Sequence, residues 1–282
     1  MLNFDLHCHS NVSDGLLDPS EVVRLAARNR VVALALTDHD DTGGLEEARG
    51  AALASGIRLI NGVEISVTWE KHTLHVLGLR IDPDEASLRN GLTAIRAGRL
   101  ERAERIGAAL AKAGVGGALE GARSFTTNQN LIGRTHFARF LVREGYAKDI
   151  KGVFKRYLVK GKPGHTAHDW ARLDAAVGWI AASGGQAVLA HPGRYAMGPV
   201  TRERLLAQFR AAGGAGLEVV TSNHTAEQVR YFALQAVKHD LLASRGSDYH
   251  GPGESYREPG CVAALPEGCK AIWHDWVEAS VH

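Results

Sequence analysis

The sequence predicts an α/β fold interrupted by a helical insertion, and three observations carry this. Strand and helix signals alternate through roughly the first 80 residues and resume after about residue 163. Val31–Thr37 is a continuous apolar run, the pattern of a strand covered on both faces, as in parallel sheets. Between about Pro83 and Lys162 strand signals almost vanish and helical spacing takes over. The expected organisation is residues 1–82 and 163–282 as two parts of one α/β unit, with 83–162 inserted as a helical, substrate-binding segment.

Asn3–His9 reads as a short strand. Asp18-Pro19-Ser20-Glu21 starts a helix: Asp18 can cap, Pro19 suits the first helical position, and Glu21 sits where a capping box places an acid. A second helix spans Gly43–Ala54 and Gly56 closes it. Arg58–Glu64 and Thr73–Leu79 are further strands. In the middle, Leu88, Leu92, Ile95, Leu100, Ile106 and Leu110 recur at helical spacing up to Gly114. Arg134–Glu144 and Asp149–Val159 follow as helices. The rhythm then returns: helix Trp170–Ala182 and strand Gln186–Ala190, helix Thr201–Ala212 and strand Gly216–Val220, helix Ala226–Lys238 and strand Leu241–Ser244. Such alternation implies a parallel sheet, open or closed into a barrel. Cys269–His282 is expected to be a packing helix without chemistry.

The 282 residues fit one large domain with an insertion. Hydrophobic residues at 45% and charged residues at 23% exclude a disordered chain, and a net charge of +2 argues against bulk binding to a nucleic-acid backbone. Cys8, Cys261 and Cys269 form no CxxC pair, which excludes a disulfide scaffold. The N-terminus lacks the basic and apolar regions of a signal peptide. Ala175–Gly193, the longest stretch free of Asp, Glu, Lys and Arg, is broken by Gly and Pro. A cytoplasmic protein without a membrane partner is expected.

The 14 histidines are many for this length, and their placement is informative. His7 and His9, two apart on a strand, point to one side, so Cys8 between them points into the core. Asp14 follows in a loop. Thr37-Asp38-His39-Asp40, Gly62-Val63-Glu64, Ala190-His191-Pro192 and Ser247-Asp248-Tyr249-His250 fall at strand ends, and His75 lies on the fourth strand. In α/β sheets the carboxyl ends of the strands meet in one crevice, where active sites lie.

This ordered set resembles the PHP (polymerase and histidinol phosphatase) family from residue 3 to about 252. It looks most like the stand-alone phosphoesterases with a helical insertion, a group that includes nucleoside 3′,5′-bisphosphate phosphatases and short-RNA exonucleases. The resemblance implies a distorted (β/α)7 barrel with a trinuclear metal centre. Carried over by motif, His7, His9, Glu64 and Asp248 would hold one ion. Glu64 would bridge to a second, held also by His75 and His191, and Asp14, His39 and His250 would hold a third. Six imidazoles and three carboxylates without a thiolate suit Mn, with Fe or Zn as alternatives, rather than Mg or Ca.

Clustered divalent ions can lower the pKa of a bridging water and clamp both oxygens of an in-line displacement, so a phosphate ester is the expected substrate. The expected reacting centre is Asp14, His39, Glu64, Asp248 and His250. Asp40 either steers a proton or orients an imidazole, or is a structural acid. Arg134 opens a helix, a natural anion site, and the family carries a similar Gly-Arg-Thr-His block, which implies Arg134 and Thr135 as phosphate contacts. Arg194 falls at the rim of the crevice. Arg99, Arg102 and Arg105 share roughly one helix face and are either anion contacts or a solvated basic face. Asn223 and His224 are weaker candidates for base or sugar contacts. His72, His165, His168, His239, His274 and His282 read as surface or capping residues, and Trp170, Trp179, Trp273 and Trp276 as packing.

The expected activity is removal of the 3′-phosphate from a nucleoside 3′,5′-bisphosphate. The alternatives are a 5′-to-3′ exonuclease on short oligonucleotides, a histidinol phosphate phosphatase, and a non-catalytic PHP module. The several arginines favour a substrate with more than one anionic group, which histidinol phosphate lacks.

Overall fold

The structure, a computed structural model, describes residues 2–276. The first part runs β1 (Phe4–Cys8), α1 (Pro19–Arg28), β2 (Ala33–Leu36), α2 (Leu45–Ser55), β3 (Arg58–Trp69) and β4 (His72–Leu79). The helical stretch follows as α3 (Ala86–Lys112), α4 (Ala118–Arg123), α5 (Arg134–Arg143), α6 (Ile150–Val153) and a π-helical turn at Phe154–Leu158. Then come β5 (Ala171–Arg172), α7 (Leu173–Ala182), β6 (Gln186–Leu189), α8 (Pro199–Ala211), β7 (Gly216–Thr221), α9 (Ala226–Lys238) and β8 (Leu242–Gly246).

Among the described residues the barrel order is β1-β2-β3-β4-β6-β7-β8, and the short β5 pairs with β3 off this path. Cys8 bridges to Tyr249, and the His9 amide donates to the Tyr249 carbonyl at 2.8 Å, which brings the two ends of the sheet together. The result is a nearly closed seven-stranded barrel, the (β/α)7 architecture. Glu21 accepts from the Asp18 amide at 3.2 Å at the start of α1, and Gly56 closes α2 with a φ of 67°. The Cys8 side chain is buried beside Val22, Val23 and Leu34, turned away from His7 and His9.

Three expectations are corrected. The sheet is not wholly parallel: β4 is antiparallel to both β3 and β6. β3 runs on to Trp69 and returns through the Glu70-Lys71 turn, which is far too short for the crossover that a parallel neighbour needs. His75, near the start of β4 and opposite Ser66, therefore stands at the same rim as the carboxyl ends of the parallel strands. Second, Asp149–Val159 is not one helix but α6 followed by the π-helical turn, and α4 is an additional short helix. Third, the described part of the C-terminal segment is no helix. Residues 272–275 form turns, and Ala271 before them is bridged to Ala243. Ile272 and Trp276 pack with Phe4 and Leu6 at the amino-terminal end of the barrel. The rest of that expected helix, including His282, lies outside the described residues.

The inward positions explain why one end of the barrel is apolar and the other polar. Ile60, Leu77, Leu79 and Val188 fill the interior beside that C-terminal plug. Side chains alternate along strands, so further along the same inward faces come Gly62 and Glu64 on β3 and His75 on β4. At the seam the backbones are close: a Cβ on Gly246 would lie 2.3 Å from the His7 Cβ and 2.7 Å from the His7 amide nitrogen. Gly246→Ala is therefore expected to cost about 1–3 kcal/mol by overpacking. Urea denaturation measures this, and an unchanged midpoint would contradict the tight seam.

Candidate metal centre

Glu64 is the hub of the site. It is fully buried. Its Oε1 lies 2.8 Å from His191 Nε2, 2.9 Å from His75 Nδ1 and 3.4 Å from His7 Nε2. Its Oε2 lies 2.9 Å from His39 Nδ1 and 3.3 Å from His9 Nε2. β2 and β3 are held in line here, because the Asp40 amide donates to the Glu64 carbonyl at 2.9 Å and the Glu64 amide to the Asp38 carbonyl at 3.1 Å. Asp248 adds a second buried carboxylate, with Oδ1 3.4 Å from the Nε2 atoms of both His7 and His9. Asp14 Oδ1 faces His250 Nε2 at 3.4 Å and His39 Nε2 at 3.8 Å. The structure thus brings together all nine residues expected as ligands. Their donor atoms form four overlapping groups: His9, Asp14, His39 and His250; His7, His9 and Asp248; His7, Glu64 and His191; His39, Glu64 and His75.

The electrostatics fit divalent ions. Burial pushes the Glu64 carboxyl up, but His75, His39 and His7 more than offset this and hold it well below the usual range. Asp14 and Asp248 are buried and likewise held low, Asp14 chiefly by His250 and His39, Asp248 chiefly by His7 and Arg194. Burial takes His191 down to about 3 and His39 down to about 4, whereas Glu218, Glu64 and Asp248 outweigh burial and hold His7 well above its usual range, and Asp248 and Glu64 push His9 up to about 10. The decisive observation is a cluster of orphaned polar atoms. His9 Nδ1, Asp14 Oδ1, His39 Nδ1, Glu64 Oε2, His191 Nδ1 and Asp248 Oδ1 are buried without a hydrogen-bond partner among the described residues. Native structures leave few such atoms unpaired, and a cation is what a ring of nitrogen and carboxylate donors can satisfy together.

Groups behind the donors fix their orientation. His7 Nδ1 donates to Glu218 Oε1 at 3.0 Å, leaving Nε2 toward the cluster, and the His191 amide donates to Glu218 Oε2 at 2.6 Å. His250 Nδ1 donates to the Asp248 carbonyl at 2.9 Å, which leaves its Nε2 for Asp14. The Tyr195 hydroxyl accepts from the His75 amide and donates to the Ala190 carbonyl, both at 2.9 Å. Asp40, His191 and Asp248 adopt positive φ values of 51°, 29° and 51°, a backbone strain that clusters at functional sites.

A cavity of about 410 Å³ opens over the cluster, a size suited to a small ligand. Arg102, Arg134, Thr135 and Arg194 line it, together with His165, His168, Trp170 and Phe154, which the sequence reading had not placed here. Arg134 lies over the Phe154 ring, with its guanidinium carbon 5.5 Å from the centroid. Burial lowers the Arg134 pKa, and Arg99 and Arg194 lower it further. Burial and the neighbouring Arg134 and Arg99 take Arg102 down to about 9. Arg194 donates to Asp248 Oδ2 at 2.7 Å, and the Thr135 hydroxyl donates to Asp14 Oδ2 at 2.8 Å.

Of the other expected residues, Arg99 also lines the cavity, whereas Asp40, Arg105, Asn223 and His224 stand off it. The Asp40 carboxylate accepts from the Ser66 amide at 2.7 Å and from Arg99 Nε at 2.6 Å, so Asp40 and Arg99 tie α3 to the barrel. Arg105 reaches His168 Nδ1 at 3.1 Å, and Asn223 approaches Asp248 Oδ2 at 3.4 Å. His224 braces a loop: it donates to the Val219 carbonyl at 2.9 Å and accepts from the Gly193 amide at 3.0 Å. Glu218 is the main residue the sequence reading missed. A lone acid inside the apolar run Leu217–Val220 was the available signal.

Fold and site together define a metal-dependent phosphoesterase barrel. The chain belongs to the PHP domain family, which matches residues 5–222. It is 52% identical over 275 residues to a 3′,5′-nucleoside bisphosphate phosphatase of Chromobacterium violaceum, covering 98% of this chain and 96% of that one. It is 40% identical over 280 residues to a 5′-3′ exoribonuclease of Salmonella typhimurium, covering 99% and 95%. Among solved structures it is similar to an amidohydrolase of Chromobacterium violaceum with bound sulfate and no metal, at 52% identity, coverage of 96% and 94% and a TM-score of 0.94. A structure from Bifidobacterium adolescentis, named as a candidate metal-dependent phosphoesterase, aligns at 26% identity, coverage of 96% and 93% and a TM-score of 0.82. Among the described residues no helix is long and apolar enough to cross a membrane.

Because the cluster is unsatisfied without cations, Mn added to chelator-treated protein should raise its melting temperature. Binding to the native state alone at 100 times Kd is worth about 2.7 kcal/mol. Scanning calorimetry measures this, and an unchanged melting temperature at millimolar Mn would contradict the reading.

Proposed function

We propose that the chain removes the 3′-phosphate from nucleoside 3′,5′-bisphosphates. One observation carries the two-phosphate substrate. The cavity above the metal-ligand cluster also contains Arg102 and Arg134, which have no carboxylate partner among the described residues. Half-buried guanidinium groups without a carboxylate partner favour an anion, so one cavity offers two places for negative charge. The Chromobacterium violaceum relative supports the reading.

Three divalent ions, Mn foremost with Fe or Zn as alternatives, are the proposed cofactors. His7, His9, Glu64 and Asp248 would hold one, Glu64, His75 and His191 the second, and Asp14, His39 and His250 the third. When bound, such ions supply an activated water and neutralise charge on the phosphoryl oxygens. The chain's own residues do the rest. Glu218 keeps the His7 imidazole and the His191 backbone in place. Arg194, half exposed at the rim and paired with Asp248, would meet the phosphoryl group undergoing cleavage. Arg134 and Arg102, on helices of the 83–162 insertion, hold the second phosphate. Thr135 and Asn223 hold Asp14 and Asp248, and Asp40 acts at one remove, through Arg99 and Ser66. The proposed setting is the cytoplasm.

A panel of a 3′,5′-bisphosphate, a mononucleotide, a short oligonucleotide and histidinol phosphate tests the reading by phosphate release. The bisphosphate should have the highest kcat/KM. Arg134→Ala should raise KM for it about 10–100-fold, the loss of a charge-assisted hydrogen bond, with a smaller effect on a mononucleotide. The exoribonuclease relative favours a second reading, exonuclease action on short RNA. Faster turnover of the oligonucleotide than of the bisphosphate would select it.

A further inference from the structure

Six of the nine donor residues are held in two different ways. Glu64 and His75 lie within long strands, and His7 near the end of β1, and the barrel itself fixes them. Glu218, on β7, supports His7 and His191 from behind. Asp14, His39 and His250 instead lie on loops beyond β1, β2 and β8. Each of those three loops is tied to the helical insertion.

The ties are specific. From α5, the Thr135 hydroxyl donates to Asp14 Oδ2 at 2.8 Å, which leaves Oδ1 as the orphaned oxygen facing His250 and His39. Four residues on, the same helix face presents Arg139, 6% exposed. Its Nη2 donates to the Asp14 carbonyl at 2.7 Å, and its Nε and Nη2 form a fork on Glu254, each at 2.8 Å. Glu254 belongs to the loop that carries His250, where the His250 amide donates to the Ser255 hydroxyl at 2.6 Å. One guanidinium thus joins the loops of Asp14 and His250. From α3, Arg99 holds Asp40, the neighbour of His39, at 2.6 Å.

We propose that Arg139 is a positioning residue for the ion site formed by Asp14, His39 and His250. Loading of that site then depends on the insertion, and loading of the Glu64-centred sites does not. Arg139 touches none of the donor atoms. It fixes the backbone of Asp14 and the loop of His250, so that two loops of separate origin present their donors at ligand spacing. This rests on the three-ion reading above.

The test is metal content and affinity. Wild type, Arg139→Met and Glu254→Gln are loaded with Mn, freed of loose ions by gel filtration and measured by inductively coupled plasma mass spectrometry. A competing chelator then gives the affinity of each step, and circular dichroism follows the fold. Wild type should retain three ions. Arg139→Met should retain two and bind the third about 10–100-fold more weakly, the scale for lost outer-shell support. Arg139→Lys, which keeps the charge and one donor, should recover part of the loss. Saturating Mn should restore most of kcat to the Met variant. Glu254→Gln, which keeps the shape and breaks the charge pair, should weaken the third ion in the same direction and carries the test if Arg139→Met does not fold. Three ions at wild-type affinity in both variants would overturn the inference, as would equal weakening of every ion. Fewer than three ions in wild type would overturn both the inference and the three-ion reading.

Discussion

Everything in this molecule depends on one buried carboxylate among five imidazoles. An ionised Glu64 alone in the barrel would be severely destabilising, because removing a charge from water costs several kcal/mol even after relaxation. The fold tolerates it because His7, His9, His39, His75 and His191, from four strands or strand ends, all lie within 3.4 Å of its two oxygens. The converse also holds. Closely packed imidazoles would be unfavourable without a negative charge between them. The seam at Gly246, the bridge between His39 and Glu64, and the antiparallel return of β4 are the local means by which the chain brings these groups together.

Much of this was legible in the residues. The His7–His9 spacing, the acids and histidines at strand ends and the apolar run at Val31–Thr37 carry physical information at short range. They point to a barrel with a polar rim. What stayed hidden depends on long-range pairing. Periodicity cannot tell a parallel from an antiparallel strand, so the direction of β4 was not readable, although the brevity of the Glu70-Lys71 turn was a clue. Glu218 contacts His7, 211 positions away, and no local pattern could supply that. Arg99 looked like one member of a basic face. Its burial against Asp40 is visible only once α3 lies across the barrel. Trp170 and His168 could not be assigned to the cavity, because their segment is irregular and its course over the rim is set by tertiary contacts.

The insertion has two proposed jobs that a barrel alone does poorly. Strands place side chains accurately but in fixed register, so they make a rigid donor set and leave little room for varied recognition. Helices laid over the rim add half-buried guanidinium groups to the wall of the cavity and hold the loops of Asp14, His39 and His250 from outside. On the function and the Arg139 role proposed above, selectivity for the substrate and completion of the centre would be coupled through α3 and α5 at the carboxyl-terminal rim of the barrel.

The most direct measurement is anomalous diffraction at the Mn edge from crystals equilibrated with Mn. The arrangement around Glu64 predicts anomalous peaks bonded to its carboxylate and flanked by His7, His75 and His191, with a further peak among Asp14, His39 and His250. Peaks elsewhere on the protein, with none bonded to Glu64, would contradict it.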